Sequence, residues 1–184
     1  MKGSEPRKTA LLLTGRPGTG KTTIIRKVLA RLPGQAGGFY TEEVREAGQR
    51  VGFCLVTLGG ERATLAHVSL RSPYRVAKYG VDLEALERVG VRALREASRS
   101  CNYVVVDEIG KMELFSAAFR DAVLEAVEAG KVVLGTIMSA SHPWADIIKD
   151  HPAVLLLPVS EGNRETLPAT ILDAVQSLRA SKQP

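Results

Sequence analysis

Eight consecutive residues, Gly15-Arg16-Pro17-Gly18-Thr19-Gly20-Lys21-Thr22, carry the strongest chemical signal in the chain. They follow the pattern G-x-x-x-x-G-K-[ST], with an apolar run before them and an amphipathic run starting inside them. Glycines let the backbone wrap a phosphate group without a Cβ in the way. Successive N–H groups then point inward, and the start of a helix adds positive potential. Lys21 supplies a mobile point charge for β- and γ-phosphates. Thr22 offers a hydroxyl to Mg²⁺, an ion that keeps several waters and needs few direct protein ligands. Thr23 reads as a helix residue near the α-phosphate rather than as a metal ligand.

The second signal is Val104-Val105-Val106-Asp107-Glu108. An apolar strand ending in Asp sets a carboxylate at the carboxyl edge of a sheet, where ligands bind in open α/β folds. Asp107 is the expected Mg²⁺ partner of Thr22, mostly through water. Glu108, one position on, can orient and partly deprotonate a water in line with the γ-phosphate. Phosphoryl transfer depends on positioning and charge stabilisation, so one such carboxylate is enough to define a hydrolase.

Other residues have two readings each. Lys111 reaches the departing γ-phosphate, or is a solvated lysine beside Glu113. Thr136 senses the γ-phosphate from between the loop and Glu108, or is a satisfied hydroxyl at a strand end. Arg16 leans over the phosphates or faces water. Asn163 and Arg164 follow the last strand, where a base or ribose often packs, or they form a helix cap and a surface Arg. His67, His142 and His151 share no metal-ligand spacing and read as structural, and Trp144 reads as a core or hinge anchor.

The elements that must hold these groups follow from periodicity. A strand over 8–14 precedes the loop, and a helix over 21–32 follows it, with Ile24, Ile25, Val28, Leu29 and Leu32 on one face. Strands are expected at 38–41, in a hairpin at 44–58 and at 64–68, an antiparallel meander inserted into an otherwise alternating pattern. Residues 72–80 read as a loop. Asp82 caps a helix to about Ser100. Apolar strands at 103–106, 132–137 and 153–157 alternate with helices at 116–129 and 164–179. That alternation makes an α/β fold, a mainly parallel sheet flanked by helices. The whole chain, 1–184, reads as a single domain with tails at 1–8 and 180–184.

With 184 residues, 45% hydrophobic and 24% charged, the chain has the composition of an ordinary globular domain. No apolar run approaches the ~20 residues that cross a bilayer, and the polar start lacks a secretory signature, so no membrane partner and a cytoplasmic location are expected. Two cysteines without C-x-x-C spacing read as reduced thiols. The net charge of +5 is uneven: residues 1–36 hold eight Lys/Arg and one acid. Such a segment suits a phosphate-bearing ligand. With aromatics at 5% and no recognition motif, nucleic acid is not the expected partner, and a monomer is.

Three further strings sharpen the assignment: Gly38-Phe-Tyr-Thr-Glu-Glu-Val-Arg45, Tyr74-Arg-Val-Ala-Lys-Tyr-Gly-Val81 and Asp107-Glu-Ile-Gly-Lys-Met-Glu-Leu-Phe115. With the phosphate loop, they resemble the thermophile-type nucleoside-triphosphatase family, which has a human cancer-related member. The resemblance runs from about Thr9 to Leu178. It implies a RecA-like P-loop domain with one strand between the two nucleotide-binding strands. It also implies slow, Mg²⁺-dependent hydrolysis of several nucleoside triphosphates to diphosphate and phosphate. Nucleotide contacts would map onto Arg16 to Thr23 and onto Val104, Val105, Val106, Asp107, Glu108, Ile109, Gly110 and Lys111. The chain departs from the family pattern at Arg16, where an acid is common, and at Ala77, where glycine is usual.

Two other function classes compete. A small-molecule or nucleotide kinase shares the phosphate loop but needs a water-excluding lid, for which Arg71, Arg75 and Lys78 offer a short candidate. A nucleotide-gated adaptor for RNA or protein fits the basic first segment but lacks a separate basic stripe. The carboxylate at Glu108 favours water as the acceptor.

Overall fold

The computed structural model describes residues 8–180; of the tails expected at 1–8 and 180–184, residues 1–7 and 181–184 lie outside the described residues. Lys8 and Ala180 belong to the body instead. Lys8 Nζ donates to the Val154 carbonyl at 2.9 Å, and Ala180 closes the last helix.

β1 (Ala10–Thr14) leads through the phosphate loop into α1 (Lys21–Leu29). α1 loosens past Leu29 into turn-type bonds, Arg31 N–H to Val28 and Leu32 N–H to Leu29, so the regular helix stops before the expected Leu32. β2 (Ala36–Glu46), β3 (Gln49–Thr57) and β4 (Arg62–His67) form the meander. Its first strand is one continuous element, not two. Residues 72–80 are not a loop: β5 (Arg75–Val76) and β6 (Tyr79–Val81) form a tight hairpin, and β6 pairs with β4. Asp82 caps the next helix by accepting the Ala85 N–H at 2.9 Å. That helix is not regular. It begins as α2 (Leu83–Ala85), passes through a π-helical stretch (Leu86–Val91) and resumes as α3 (Arg92–Ser100). The wider turn lets Val89, Gly90 and Val91 all be buried in succession, which one stripe of an α-helix does not allow.

β7 (Tyr103–Ile109) is followed by a short 3₁₀ turn (Glu113–Phe115) and α4 (Ala117–Glu128), which Ser116 caps as expected. β8 (Val132–Ile137), α5 (Pro143–Lys149), β9 (Val154–Pro158) and α6 (Leu167–Ala180) complete the chain. α5 is absent from the sequence reading because seven residues show too little periodicity. Trp144 lies on it, half-buried against the core.

Among the described residues the strands form one sheet in the order β5-β6-β4-β3-β2-β7-β8-β1-β9. β2, β7, β8, β1 and β9 are parallel, and β3, β4, β6 and β5 extend the sheet antiparallel from β2. The antiparallel wing is thus larger than the expected meander. β8 lies between the loop-bearing β1 and the acid-tipped β7, the strand order that the family resemblance implies.

β1, β8, β9 and β7 up to Val106 are largely apolar because helices cover both faces of the sheet there. Ala10, Leu12, Val104 and Val106 face a core that includes Phe119, Val123 and Leu94. Leu11, Leu13, Tyr103 and Val105 face a second core with Ile24, Ile25, Val28 and Ile171.

The β5–β6 turn bears on position 77, where the resemblance leads one to expect glycine. Ala77 has φ 51, in the left-handed region, which costs an L-residue with a Cβ roughly 1–2 kcal/mol. Glycine there relieves the strain but adds backbone entropy to the unfolded chain. Ala77→Gly is therefore expected to leave stability equal or higher, and Ala77→Val to lower it by about 1–2 kcal/mol, since a branched Cβ fits that region worst. Urea unfolding midpoints of the two variants check this.

Candidate active site

The loop between β1 and α1 takes its shape from two glycines. Gly18 has φ 79 and Gly20 has φ 93. A Cβ at either would meet nothing within 4 Å, so backbone conformation and not space demands glycine there. Gly20 is the N-cap of α1, and the loop feeds its amides into the helix start. Lys21 Nζ lies across the loop, donating to the carbonyls of Gly15 at 3.0 Å and Arg16 at 3.1 Å. Arg16, Pro17 and Gly18 are exposed, as is Thr23.

One strand away, register carries the loop's influence to the acids. Leu13 pairs with Thr136 on β8, and Gly135 pairs with Val106 on β7. The Thr136 hydroxyl donates to Asp107 Oδ1 at 2.5 Å. Asp107 is 2% exposed, and burial pushes its carboxyl above the usual range. The Thr136 and Thr22 hydroxyls and the charges of Lys21 and Arg26 pull it back. Asp107 Oδ2 is buried without a hydrogen-bond partner. A buried carboxylate oxygen left free beside a threonine hydroxyl is a hard-oxygen pair that fits Mg²⁺. Among the described residues no three His, Cys, Asp or Glu converge on a metal position. A cation here would take its remaining oxygens from phosphate and water.

Glu108 follows Asp107 and is half-buried. Its carboxyl is pushed up by burial, held down by Lys21 and raised again by Asp107. It therefore stands within electrostatic reach of the loop lysine, on the side of the sheet edge where the loop lies. It makes no hydrogen bond or ion pair among the described residues.

The residue missed in the sequence is Glu113. It is 4% exposed, and burial drives its carboxyl up to about 8, with N–H groups of its own residue and of Gly110 working against the shift and the charges of Glu108 and Asp107 adding to it. It is thus no solvated partner for Lys111, which is exposed. The available signal was its setting between Met112 and Leu114, an apolar neighbourhood in which a lone carboxyl is unexpected.

Arg26 and Tyr40 were also missed. Tyr40 pairs with Asp107 across β2 and β7. The Arg26 guanidinium lies 4.3 Å from the Tyr40 ring centroid and bonds Glu42 at 3.1 Å. These groups form the wall of the site toward the antiparallel wing.

The remaining candidates are elsewhere or engaged. Asn163 accepts the Ser160 N–H and donates to the Pro158 carbonyl, both at 2.8 Å, so its amide shapes the loop after β9. Arg164 is exposed. Arg71, Arg75 and Lys78 are exposed too, and Arg75 donates to the Lys78 carbonyl within its own hairpin. No described helix is long and apolar enough to cross a membrane.

Against known proteins, a family model described as NTPase matches residues 10–172. Nucleoside-triphosphatase THEP1 of Thermotoga sp. (strain RQ2) is 47% identical over 173 residues, covering 94% of this chain and 99% of the relative. The cancer-related nucleoside-triphosphatase of Homo sapiens is 42% identical, covering 92% of this chain and 97% of the relative. The crystal structure of THEP1 from Aquifex aeolicus matches with a TM-score of 0.82 at 35% identity, over 89% of this chain and 97% of that one.

The buried carboxyl of Glu113 sets a pH dependence of folding. Its pKa rises from 4.5 to about 8 on folding, so the folded state holds this proton more tightly. The stabilisation is complete below pH 4.5 and is lost as pH climbs through about 8. Glu113→Gln is expected to remove this dependence. The stability difference, variant minus wild type, then grows from pH 5 to pH 8 in urea unfolding, in the variant's favour.

Proposed function

The chain belongs to the NTPase family, and we propose that it hydrolyses ATP, GTP and other nucleoside triphosphates to diphosphate and phosphate, slowly, with Mg²⁺ and broad base specificity. One observation carries this reading. The half-buried, unpartnered carboxylate of Glu108 stands in the electrostatic reach of Lys21, beside the buried Asp107.

The loop amides from Gly18 to Thr22 and the Lys21 ammonium would take the β- and γ-phosphates, because they offer donors and positive charge at a helix start. Thr22 and Asp107 would hold Mg²⁺, which when bound neutralises phosphate charge. Thr136 fixes the Asp107 carboxylate by its hydrogen bond. Its role is thus in orienting the acid, and a γ-phosphate contact is not required of it.

Glu108 would hold the attacking water. The water oxygen bonds to the γ-phosphorus as the bond to the bridging oxygen breaks. The diphosphate leaves with the electron pair of that bond. The carboxylate receives the water's proton and returns it to the products. Loop amides stabilise the charge developing on the transferring group. Lys111, exposed on the next turn, would reach the departing γ-phosphate. Asn163 and Arg164 would flank the base from the loop after β9. Broad base specificity is supported by Asn163, whose amide is engaged by Ser160 and Pro158 and so is not free to read a base edge.

Two substitutions test the reading. Glu108→Gln is expected to keep nucleotide affinity and lose roughly 100-fold or more in kcat, because the carboxylate acts chiefly in the transition state. Near-wild-type phosphate release in that variant removes Glu108 from its role. Lys21→Ala is expected to weaken both binding and turnover. Calorimetry showing unchanged nucleotide affinity in Lys21→Ala contradicts the loop assignment.

A further inference from the structure

Glu113 is a buried acid that the hydrolytic reading does not use. It sits in the 3₁₀ turn that follows β7, and the turn brings it back against the strand tip. Gly110 is the pivot. A Cβ added there would lie 3.0 Å from Glu113 Oε2 and 3.2 Å from Glu108 Oε1. The two carboxyl groups therefore border the same space, the one a Cβ at Gly110 would occupy. The space that any other residue would fill is the space that lets them approach.

Charge decides what such a neighbour can be. Asp107 and Glu108 come from β7, and Glu113 feels both. Lys21 is the cation that acts on Asp107 and Glu108, and it is not among the groups acting on Glu113. From α4, Arg120 faces the turn but donates to the Leu114 carbonyl at 3.0 Å. From the π-helical stretch, Glu87 faces it and accepts from Ser116 at 2.6 Å. Lys111, on the same turn, is exposed. The charges of two acids, Glu108 and Asp107, bear on Glu113. An ionised Glu113 would put a further negative charge, in a dry pocket, behind the group that must face a triphosphate.

We propose that Glu113 is a positioning residue for Glu108: a buried carboxyl that walls Glu108 in across Gly110 and aims its carboxylate at the attacking water. The proposal rests on the reading that Glu108 orients that water. The proton on Glu113 does not enter the reaction. Glu113 fixes geometry and limits charge, so its loss is felt in the transition state more than in nucleotide binding. Its carboxyl, pushed up to about 8, holds the proton at neutral pH.

The test compares Glu113→Ala, Glu113→Gln and Glu108→Gln with wild type in steady-state phosphate release from Mg·ATP between pH 6 and pH 9.5, with thermal unfolding run on each variant. Glu113→Ala is expected to lose about 10-fold or more in kcat with KM changed by less than about 3-fold. Glu113→Gln, neutral and of the same shape, is expected to restore most of that loss at pH 7. Wild-type kcat should fall as pH rises past about 8, and that alkaline limb should vanish in Glu113→Gln, which has nothing to ionise. A structural role alone would move the unfolding temperature and leave the alkaline limb in place. The proposal is overturned if folded Glu113→Gln is as slow as Glu113→Ala, if Glu113→Ala turns over like wild type, or if the alkaline limb survives in Glu113→Gln. Should Glu113→Ala not fold, the alkaline limb of Glu113→Gln alone decides. A wild-type protein that releases no phosphate instead overturns the hydrolytic reading and this inference with it, and a Glu108→Gln variant with full turnover removes Glu108 from its role and this inference with it.

Discussion

The Asp107 carboxylate is buried at the tip of a central strand, and most of the site follows from what that burial requires. A carboxylate taken out of water needs donors and positive charge. Thr136 on β8 and Thr22 on α1 supply hydroxyls, and Lys21 and Arg26 supply charge. These groups come from two elements, α1 and β8, and Asp107 itself from a third, β7, none of them adjacent in sequence. They meet because β8 lies between β1 and β7, so the loop and the acid are separated by one strand's width. One acid oxygen is satisfied by protein and the other is left buried without a partner. An incomplete coordination shell of this kind is costly for a structural carboxylate and useful for one that binds a cation.

The antiparallel wing is tied to the same site through β2, which is parallel to β7 on one side and antiparallel to β3 on the other. Arg26 is the link. It stacks on Tyr40, pairs with Glu42 and lowers the proton affinity of Asp107. Glu42 in turn pairs with Arg62 on β4, at 2.9 Å. These pairs are exposed, and each contributes little to stability on its own. Their effect is to hold one guanidinium beside the acid tip. The wing thus places a charge beside the acid tip.

Much of this was legible in the residues. The loop motif, the apolar run ending in Asp107-Glu108 and the buried strands survive intact, because a strand covered on both faces must be apolar and phosphate chemistry needs particular types at particular spacings. The strand order was legible only through the family resemblance, since periodicity does not say which strands are neighbours. What periodicity missed was short or irregular. The β5–β6 hairpin has two residues in its first strand, α5 has seven, and the π-helical stretch breaks the period that would reveal it. Thr136 was open between two readings, and the structure puts its hydroxyl on Asp107. Glu113 was hidden for another reason: burial of a charged residue type is a tertiary fact, and only contact with Gly110 and Glu108 reveals it.

The distribution of charge ties these points together. The first 36 residues are strongly basic, and Lys21 and Arg26 bring part of that charge to one side of the sheet edge. Three carboxyls, Asp107, Glu108 and Glu113, stand near them, and all three are pushed up by burial. A triphosphate is strongly anionic, so it would be repelled by three ionised acids as firmly as it is drawn by the lysine. The arrangement works only if each acid is treated differently. At Asp107 hydroxyls and cations partly offset burial, at Glu108 Lys21 does so, and Glu113 is pushed up to about 8. Three carboxyls of similar intrinsic acidity are thereby set to different protonation tendencies within one turn and one strand end. That grading, more than the number of acids, makes an acidic strand tip compatible with an anionic substrate.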